Sequence, residues 1–461
     1  MTAEVKVPIK YDVIVIGGGS GGLGCARRCA GIYKKKTLLI EAKHMGGTCV
    51  NKGCVPKKIL YSAGVILDDI SHAEAYGIKV GAVDFSWSKL NQIMLDDLKK
   101  KNISLEEKLK KSGADLVMGK ATFLDDHLIE VTTEKEKLTY TADHIVISTG
   151  SRSLMPRSLP GINLTFDSDA FFQLKELPKN LFIIGGGYIG CEISCLLTKF
   201  GVKCTIVMME PNIVWPFDRE ITKFQMEIMK KMGIGIITEE MVKSVEQIGE
   251  NHYKVSFKNH EPVEADKVMC AMGRISNIEG LGLDKTHIEL TKFNQVKVDE
   301  FENTNIPGVY AIGDVTGKLM LTPVAINTGK NLADRLFGND PKAKMNYDNV
   351  PSVVFTSPPM GKIGLIEDEA AQAFGKLNIK IYKTEFTNLF YSVSEKKVPS
   401  LLKVIRALPD EKVVGLNGVG KGIDEAMQGF AVAIKKGITY KDLVSTVGIH
   451  PTASEEYVYI S

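Results

Sequence analysis

The stretch Tyr11-Asp12-Val13-Ile14-Val15-Ile16-Gly17-Gly18-Gly19-Ser20-Gly21-Gly22 decides the fold. Its β-branched run predicts a buried parallel strand, and a Gly-x-Gly-x-x-Gly turn formed by Gly17, Gly19 and Gly22 follows at once. A helical pattern and a second strand come next, and that strand ends at Glu41. In this context the glycines let the backbone approach a pyrophosphate at a helix N-terminus, and the acid binds a ribose diol. The stretch therefore predicts a Rossmann-like dinucleotide-binding fold.

A pair of cysteines, Cys49 and Cys54, follows the second strand with four residues between its members. A bridge between them would close a very short loop and contribute little as a staple, so redox use is the better interpretation. The neighbouring Lys52, Lys57 and Lys58, together with a helix N-terminus, predict lowered thiol pKa values, which favour the reactive thiolate. The alternative is half of a zinc site. No matching Cys or His pair exists for it, so no metal is expected.

The strand, glycine turn and helix unit occurs again at Leu181 to Gly190. Gly185, Gly187 and Gly190 take the places of the first three glycines, and the strand after the helix ends at Glu210. Two such units in one chain predict two dinucleotides. Because the cysteine pair lies inside the first fold, we expect that fold to hold a flavin and the second to hold a nicotinamide.

Further strand ends are expected at the dinucleotide sites. Thr149 and Gly150 close a strand in the first fold, and Gly273 and Arg274 close the corresponding strand of the second. Asp314 ends a later strand and is suited to a ribityl hydroxyl or a phosphate. The next helix is expected to begin near Thr322-Pro323, with its N-terminus facing an electron-rich part of the flavin ring.

The fold class predicted from these patterns is α/β, with two Rossmann-like dinucleotide-binding domains and a C-terminal α+β domain. We expect an FAD domain built from residues 1–150 and 276–346, a nicotinamide domain at 151–275, and a dimerisation domain at 347–461. From residue 347 on, short antiparallel strands and three helical patterns replace the glycine turns. This last domain carries no cofactor motif, so dimerisation is its expected role.

Composition sets limits on location and partners. The chain has 461 residues, 44% hydrophobic and 25% charged, with a net charge of +3. This is typical of an ordinary soluble protein, and nothing in it favours nucleic acid as a partner. No apolar run approaches the ~18 residues of a membrane span. Met1 to Lys10 lacks the features of a signal or transit peptide, so we expect a cytoplasmic protein without a membrane partner.

The segment Gly448 to Glu456 is the other candidate for chemistry. It contains His450-Pro451, an X-Pro bond of the kind that can be cis at modest cost. Glu455, five residues after His450, is placed to orient the imidazole and raise its basicity. A histidine near a terminus is more often structural, but the redox pair elsewhere in the chain favours a catalytic role here.

Together these features resemble the class I pyridine nucleotide-disulfide oxidoreductases, and within them the glutathione reductases. The resemblance extends from Tyr11 to Glu456, and its most specific parts are the cysteine motif with Val55-Pro56-Lys57-Lys58 and the run His450-Pro451-Thr452. It implies a homodimer in which hydride passes from the nicotinamide to FAD. Electrons then reach the cysteine pair and finally an external disulfide.

The resemblance also implies roles for individual residues. Cys54 would lie against the flavin, and Cys49 would attack the substrate. His450 of the partner subunit, held by Glu455, would protonate the departing thiol. Lys57 and Glu192 resemble an ion pair beside the flavin N5, and Tyr188 resembles an aromatic gate over the nicotinamide pocket. The implied cofactor contacts are Gly17, Gly19, Ser20, Gly22, Glu41, Gly47, Thr48, Lys57, Thr149, Gly150, Gly185, Gly187, Tyr188, Ile189, Glu192, Glu210, Gly273, Arg274, Asp314, Leu321 and Thr322.

The nucleotide preference departs from the family pattern. Members that use NADPH carry arginines after the second strand of the second fold, where bidentate guanidinium groups hold the 2′-phosphate. The run Met209 to Trp215 contains no base, and Glu210 would bind a free 2′-hydroxyl and repel a phosphate. Gly190 stands where NADPH-type relatives commonly have alanine. Each lost charge-assisted contact is worth roughly 1.5 to 3 kcal/mol, so we expect NADH rather than NADPH.

The substrate site keeps part of the pattern. Ser20 and Arg27 match substrate positions, and Arg27 corresponds to the arginine that receives a glutathione carboxylate, where trypanothione reductases carry a tryptophan. Lys330 stands where an arginine is usual, so the charge is kept while the fork geometry is lost. Leu105 stands where a tyrosine lines the site. The expected substrate is glutathione disulfide or a closely related small disulfide.

Two other functions remain open. A lipoamide dehydrogenase-like enzyme is favoured by Glu210, but Arg27 and the lysines after Pro56 make a charged entrance for an apolar lipoyl arm. A flavoprotein that senses nucleotides without turnover is the other alternative. The presence of both cysteines together with His450 argues against it.

Overall fold

A computed structural model describes residues 7–461 of the chain. The expectation that Met1 to Lys10 carries no targeting signal falls partly on residues 1–6, which lie outside the described residues. The strands are β1 Ile9–Ile16, β2 Thr37–Glu41, β3 Asp115–Met118, β4 Lys120–Asp125, β5 Leu128–Thr132, β6 Lys137–Ile147, β7 Ser151–Ser153, β8 Phe166–Asp167, β9 Asn180–Ile184, β10 Lys203–Val207, β11 Gly235–Ile237, β12 Val242–Gly249, β13 His252–Phe257, β14 Val263–Ala265, β15 Lys267–Cys270, β16 Arg274–Ser276, β17 Val309–Ala311, β18 Ser352–Val354, β19 Met360–Gly364, β20 Ile379–Thr387, β21 Pro399–Ala407 and β22 Lys412–Val419.

The α-helices are α1 Ser20–Gly31, α2 Gly47–Lys52, α3 Cys54–His72, α4 Trp87–Lys111, α5 Ser168–Phe171, α6 Tyr188–Lys199, α7 Arg219–Lys231, α8 Thr322–Phe337, α9 Glu367–Phe374, α10 Ile423–Lys436, α11 Tyr440–Val444 and α12 Glu455–Val458. These elements divide between two compact units. The first unit comprises Met1–Ile59, Ser88–Leu154 and Arg274–Tyr347, and the second comprises Leu60–Trp87, Met155–Gly273 and Asp348–Ser461.

The first unit is built on a seven-stranded sheet in the order β3-β2-β1-β6-β5-β4, with β17 also paired to β6. The central strands β2, β1, β6 and β17 are parallel. Val13 and Val15 of β1 pack on one face of the sheet, against α1, while Ile14 and Ile16 pack in a separate core on the other. Burial on both faces explains why β1 is a continuous apolar run rather than an alternating one.

Glycines set the distance between two helices of this unit. A Cβ atom on Gly329 of α8 would lie 2.3 Å from the carbonyl oxygen of Gly21 in α1, and one on Gly24 would lie 3.0 Å from that of Ile326. No larger residue fits at Gly329 without moving the backbone. The helices therefore pack closely along their length, and each begins with a hydroxyl residue, Ser20 or Thr322.

The second unit contains three sheets. A parallel sheet in the order β11-β10-β9-β15-β8 repeats the arrangement of the first unit, and β12, β13 and β14 form a small antiparallel sheet. Residues after 348 form an antiparallel sheet in the order β18-β19-β22-β21-β20, with α10 packed on it. The expected change to an antiparallel α+β pattern is present in this region.

A buried lysine joins the antiparallel sheet to α7. Lys403 of β21 is 1% exposed, and its Nζ lies 3.0 Å from Asp218 and 2.5 Å from Glu367. Burial alone would lower the pKa of Lys403, but the hydrogen bonds to these carboxylates raise it. Asp218 in turn caps α7 by accepting from the backbone N–H groups of Glu220 and Ile221. The charged lysine therefore fixes the start of α7.

Among the described residues, no helix combines the length and the apolar character that crossing a bilayer requires.

Candidate active site

The first glycine turn is held against the end of β6. Gly17 has φ +107°, and a Cβ atom there would lie 2.3 Å from the carbonyl oxygen of Ser148. A Cβ atom on Gly22 would lie 2.0 Å from the carbonyl oxygen of Gly17, so both positions exclude any side chain. Gly19 is the N-cap of α1, which leaves the first N–H groups of that helix facing out of the turn. Such a turn can receive a phosphate.

Glu41, at the end of β2, lies beside this turn. Its Oε2 accepts a hydrogen bond of 2.7 Å from the backbone N–H of Gly18, and its Oε1 accepts one of 2.7 Å from that of Lys43. Both bonds fix the carboxylate in place. A carboxylate held at the end of this strand can bind a ribose diol.

The cysteine pair lies directly against the same turn. A Cβ atom on Gly47, which has φ +57°, would lie 2.8 Å from the Cα of Gly19, and Gly46 donates a 2.8 Å backbone hydrogen bond to Gly18. Cys49 lies on α2, which begins at Gly47, and Cys54 is the first residue of α3. The structure therefore brings the loop that carries the cysteine pair to the first glycine turn.

Both cysteines are thiols, and hydroxyl groups surround them. The thiol of Cys49 is hydrogen-bonded to Cys54 and to the hydroxyls of Thr322 and Ser20. The sulfur of Cys54 also lies 3.5 Å from Thr322 Oγ1. Cys54 is exposed and Cys49 is half-buried. The close packing of α1 and α8 is what places a hydroxyl from each helix at the thiol pair.

The predicted substrate residues lie on the same two helices. Arg27 of α1 and Lys330 of α8 are both exposed, one turn beyond the contact between Gly24 and Ile326. Leu105 of α4 packs against the core and approaches Gly46, where a Cβ atom would lie 2.9 Å from its Cδ1. A hydrocarbon side chain thus fills the position where the resemblance implies a tyrosine.

The second glycine turn has the same construction. Gly185 has φ +119°, and a Cβ atom there would lie 2.2 Å from the carbonyl oxygen of Ala271, while one on Gly190 would lie 2.2 Å from that of Gly185. Gly187 is the N-cap of α6, followed by Tyr188, which is 46% exposed, and by half-buried Ile189. A second dinucleotide-type turn is therefore present in the second unit.

Other predicted residues of the second unit lie around this turn or on its helix. Glu210 follows β10 and is half-buried, and its carbonyl oxygen accepts a 3.3 Å hydrogen bond from the N–H of Glu239. Glu192 of α6 is 7% exposed, and its Oε1 accepts a 2.8 Å hydrogen bond from the N–H of Phe355. Gly273, with φ +120°, follows β15.

His450 and Glu455 form a pair near the C-terminus. Nδ1 of His450 lies 3.0 Å from Oε1 and 3.2 Å from Oε2 of Glu455, and the peptide bond between His450 and Pro451 is cis. The imidazole is 81% exposed while the carboxylate is 9% exposed. A hydrogen bond to Nδ1 fixes the ring orientation, so Nε2 is the nitrogen left for chemistry with a ligand.

Comparisons with known proteins agree with this arrangement. The family described as pyridine nucleotide-disulphide oxidoreductase matches residues 11–329, and its dimerisation domain matches residues 350–460. A protein named glutathione reductase from Debaryomyces hansenii is 40% identical over 99% of this chain and 99% of its own length.

The chain belongs to the pyridine nucleotide-disulphide oxidoreductase family.

The predicted fold class is confirmed by this membership. Both parallel sheets of the oxidoreductase carry a glycine turn of the Rossmann type, and the antiparallel domain that follows is the family's dimerisation domain. Members of the family are FAD-binding flavoproteins, which supports FAD as the cofactor.

The residues of the first unit fit FAD. Oγ1 of Thr149 is buried and has no hydrogen-bond partner among the described residues, so it is left available to a ligand. Asp314 accepts a 2.7 Å hydrogen bond from the hydroxyl of Ser151. Arg274 in turn donates hydrogen bonds of 2.8 and 2.9 Å to the hydroxyl and the carbonyl oxygen of Ser151. Arg274 therefore supports the Asp314 site through Ser151. With the Gly17 turn and Glu41, these groups suit a phosphate, a ribose and a polar chain.

One expectation about the thiols is wrong. The lysines around the motif predict lowered thiol pKa values, but the pKa of Cys49 is raised above its ordinary value. The main cause is the sulfur of Cys54, which accepts a hydrogen bond from the Cys49 thiol and so favours its protonated form. Burial raises the pKa further. The hydroxyls of Thr322 and Ser20 act in the opposite direction. The pKa of Cys49 is therefore set by Cys54, by burial and by two hydroxyl groups.

Two asparagines were missed by the sequence interpretation. Asn51 donates to the carbonyl oxygens of Met45 and Gly47 at 3.0 and 2.9 Å. Asn102 of α4 donates to the same Met45 oxygen at 3.0 Å and to Oδ1 of Asn51 at 2.9 Å. Together they hold the backbone on both sides of the turn into α2. Asn51 lies inside the cysteine motif and could have been singled out, whereas Asn102 is distant in sequence and shows no signal.

Replacement of Cys54 by alanine should lower the pKa of Cys49, because it removes the sulfur that accepts a hydrogen bond from the protonated Cys49 thiol. Adding Thr322→Val to Cys54→Ala should raise the pKa again, because the hydroxyl stabilises the thiolate. The measurement is the rate of iodoacetamide alkylation of Cys49 against pH in the reduced holoenzyme, followed by peptide mapping. Thr132→Val, an exposed change on β5, is the control and should leave the midpoint unchanged. An unchanged or higher midpoint for Cys54→Ala would contradict this description of the pair.

Proposed function

We propose that this oxidoreductase passes electrons from a nicotinamide dinucleotide through FAD and the Cys49–Cys54 pair to glutathione disulfide or a closely related small disulfide. The observation that carries the proposal is the contact between the two thiols directly against the first glycine turn. The similarity to a protein named glutathione reductase supports the choice of disulfide.

The sulfur chemistry follows from the two thiols. The Cys49 thiolate attacks one sulfur of the substrate disulfide, which forms a mixed disulfide and releases the first thiol. The Cys54 thiolate then attacks the Cys49 sulfur, which releases the second thiol and leaves a Cys49–Cys54 disulfide. When bound, FAD supplies the two electrons, taken from the nicotinamide, that return this disulfide to two thiols. Ser20 and Thr322 stabilise the Cys49 thiolate through their hydroxyls.

We assign the proton transfer to His450 of the partner subunit. Each departing thiolate needs a proton, and an imidazolium placed within hydrogen-bond reach of the sulfur can provide it. Glu455 holds Nδ1, which directs Nε2 toward the departing sulfur. The high exposure of the imidazole in the single chain and the match of residues 350–460 to a dimerisation domain support a site shared across a homodimer. Lys57 and Glu192 are proposed as the ion pair beside the flavin.

The charged residues Arg27 and Lys330 are proposed to receive the carboxylates of the substrate. Both are exposed on the parallel helices that carry Ser20 and Thr322. Lys330 binds a carboxylate as a point charge, without the bidentate geometry of arginine. Leu105 offers only hydrocarbon. The pocket therefore suits a small anionic disulfide held mainly by charge, and glutathione disulfide is such a molecule.

We propose NADH as the preferred nucleotide. Glu210 follows β10, where an acid accepts hydrogen bonds from the hydroxyls of a ribose and repels a 2′-phosphate. Tyr188, exposed at the start of α6, is proposed to cover the nicotinamide pocket until the nucleotide enters. The run Met209 to Trp215 offers no base for a phosphate.

Replacement of His450 by glutamine should lower kcat for glutathione disulfide by about 100-fold, because the leaving thiolate loses its acid. Reduction of an artificial acceptor such as ferricyanide should not change, since it needs neither thiol nor imidazole. Glu456→Gln, one residue after the partner of His450, is the matched control and should keep full turnover. Full glutathione disulfide turnover by the His450→Gln enzyme would contradict the assignment.

A mixed dimer tests which subunit provides the imidazole. A dimer of one Cys49→Ser chain and one His450→Gln chain has one intact site if the site is shared, and it should keep about half of the activity. If each chain used its own His450, this dimer would be inactive.

Replacement of Glu210 by glutamine should raise kcat/KM for NADPH by about tenfold, because it removes the repulsion of the 2′-phosphate. The unsubstituted enzyme should prefer NADH by at least tenfold in kcat/KM, in line with roughly 1.5 kcal/mol or more of lost charge-assisted contact to the phosphate. Glu246→Gln, an exposed change on β12, is the control. A tenfold preference of the unsubstituted enzyme for NADPH would contradict the proposal.

A further inference from the structure

The segment from Met209 to Phe217 joins β10 to α7 and lies against the second glycine turn. The backbone N–H of Val214 donates a 2.7 Å hydrogen bond to the carbonyl oxygen of Gly186. The side chain of Met208, just before the segment, fills the space beside Gly186, where a Cβ atom would lie 2.4 Å from its sulfur. The Met209–Phe217 segment is therefore fixed to the turn that is proposed to receive the pyrophosphate.

One large aromatic side chain of this segment is left in solvent. Ile213, Val214 and Phe217 are at most 9% exposed, whereas Trp215 is 50% exposed. Val214 has φ +51°, a left-handed conformation that a β-branched residue adopts only at a cost of roughly 1 to 3 kcal/mol. The strained backbone at Val214 buries the Val214 side chain and leaves the next side chain, Trp215, exposed.

The indole ring is supported from within the second unit. The guanidinium carbon of Arg219 lies 5.5 Å from the centre of the Trp215 ring, and Nε of Arg219 lies 2.8 Å from Asp368. Arg219 is the first residue of α7, whose cap Asp218 is paired with buried Lys403. The arginine that could otherwise approach a phosphate is thus engaged by an aromatic ring and a carboxylate.

We propose that Trp215 is the stacking surface for the adenine ring of the nicotinamide dinucleotide. The inference rests on the proposed assignment of that nucleotide to the second fold. Glu210, three residues after the end of β10, would hold the adenosine ribose, and the base attached to that ribose then lies on the side of the Met209–Phe217 segment. A planar indole stacks on a base without reading the 2′ position.

This stacking explains how the chain can bind a dinucleotide without phosphate-binding arginines. Base stacking on an aromatic side chain is worth about as much as one charge-assisted contact, and it is the same for NADH and NADPH. Trp215 would therefore set the affinity for the adenosine half, while Glu210 would set the preference between the two nucleotides. The two residues make separable contributions.

The test measures the oxidation of NADH and NADPH by the holoenzyme with ferricyanide as the electron acceptor, so that disulfide turnover is not needed. Trp215→Ala should raise KM for NADH about tenfold at nearly unchanged kcat, and it should lower kcat/KM for NADPH by the same factor. Reduced nicotinamide mononucleotide, which lacks the adenosine half, should react equally well with both enzymes. Trp215→Phe should keep most of the affinity, because it keeps a stacking ring. Phe293→Ala, at another exposed aromatic residue that is 66% exposed, should change nothing.

Two results would overturn the inference. The first is a kcat/KM for NADH within twofold of the unsubstituted enzyme in Trp215→Ala. The second is an equal loss with the mononucleotide, which would indicate general damage to the fold. The proposed function is judged separately, from the unsubstituted enzyme. The proposed NADH preference is tested by the ratio of kcat/KM for NADH to kcat/KM for NADPH, and the proposed substrate by turnover of glutathione disulfide. Neither measurement depends on the comparison of the Trp215 variants.

Discussion

The close approach of the backbone at Gly19 and Gly47 is the constraint on which the rest of the first unit depends. With a side chain at Gly47, its Cβ atom would lie 2.8 Å from Gly19, so the dinucleotide turn and the helix that carries Cys49 could not meet. A second close approach, between Gly21 and Gly329, brings α8 to α1 and with it the hydroxyl of Thr322 to the hydroxyl of Ser20. The thiol pair is thus positioned by backbone contacts that only glycine permits.

The environment of the thiols differs from a simple electrostatic description. Three lysines lie in or just after the motif, yet the largest influence on Cys49 is the neighbouring thiol, which keeps it protonated. Such a pair shares protons, and its reactivity depends on which neighbour releases or holds one. The hydroxyls of Ser20 and Thr322 come from helices that are distant in sequence, and they partly offset the effect of Cys54. The chemistry of this pair therefore depends on the packing of α1 and α8.

The sequence was sufficient where a function requires a local pattern. The two strand, glycine turn and helix units were predictable because the steric demands at Gly17, Gly22, Gly185 and Gly190 leave only glycine at a fixed spacing. The contact of His450 with Glu455 was predictable for a similar reason, since five residues of chain connect the two. The support of the redox loop by Asn102, the unpartnered hydroxyl of Thr149 and the direction of the Cys49 pKa shift were not. Each depends on residues that tertiary packing brings together over long separations in sequence.

The central claim is that Cys49 is the sulfur that attacks the substrate and that Cys54 resolves the product. It is tested most directly by incubating the reduced Cys54→Ser holoenzyme with glutathione disulfide and measuring its intact mass, followed by peptide mapping. Without the resolving thiol the mixed disulfide cannot be released, so one glutathione per chain should be found, bound to Cys49. No adduct, or an adduct on another cysteine with Cys49 unmodified, would contradict the account.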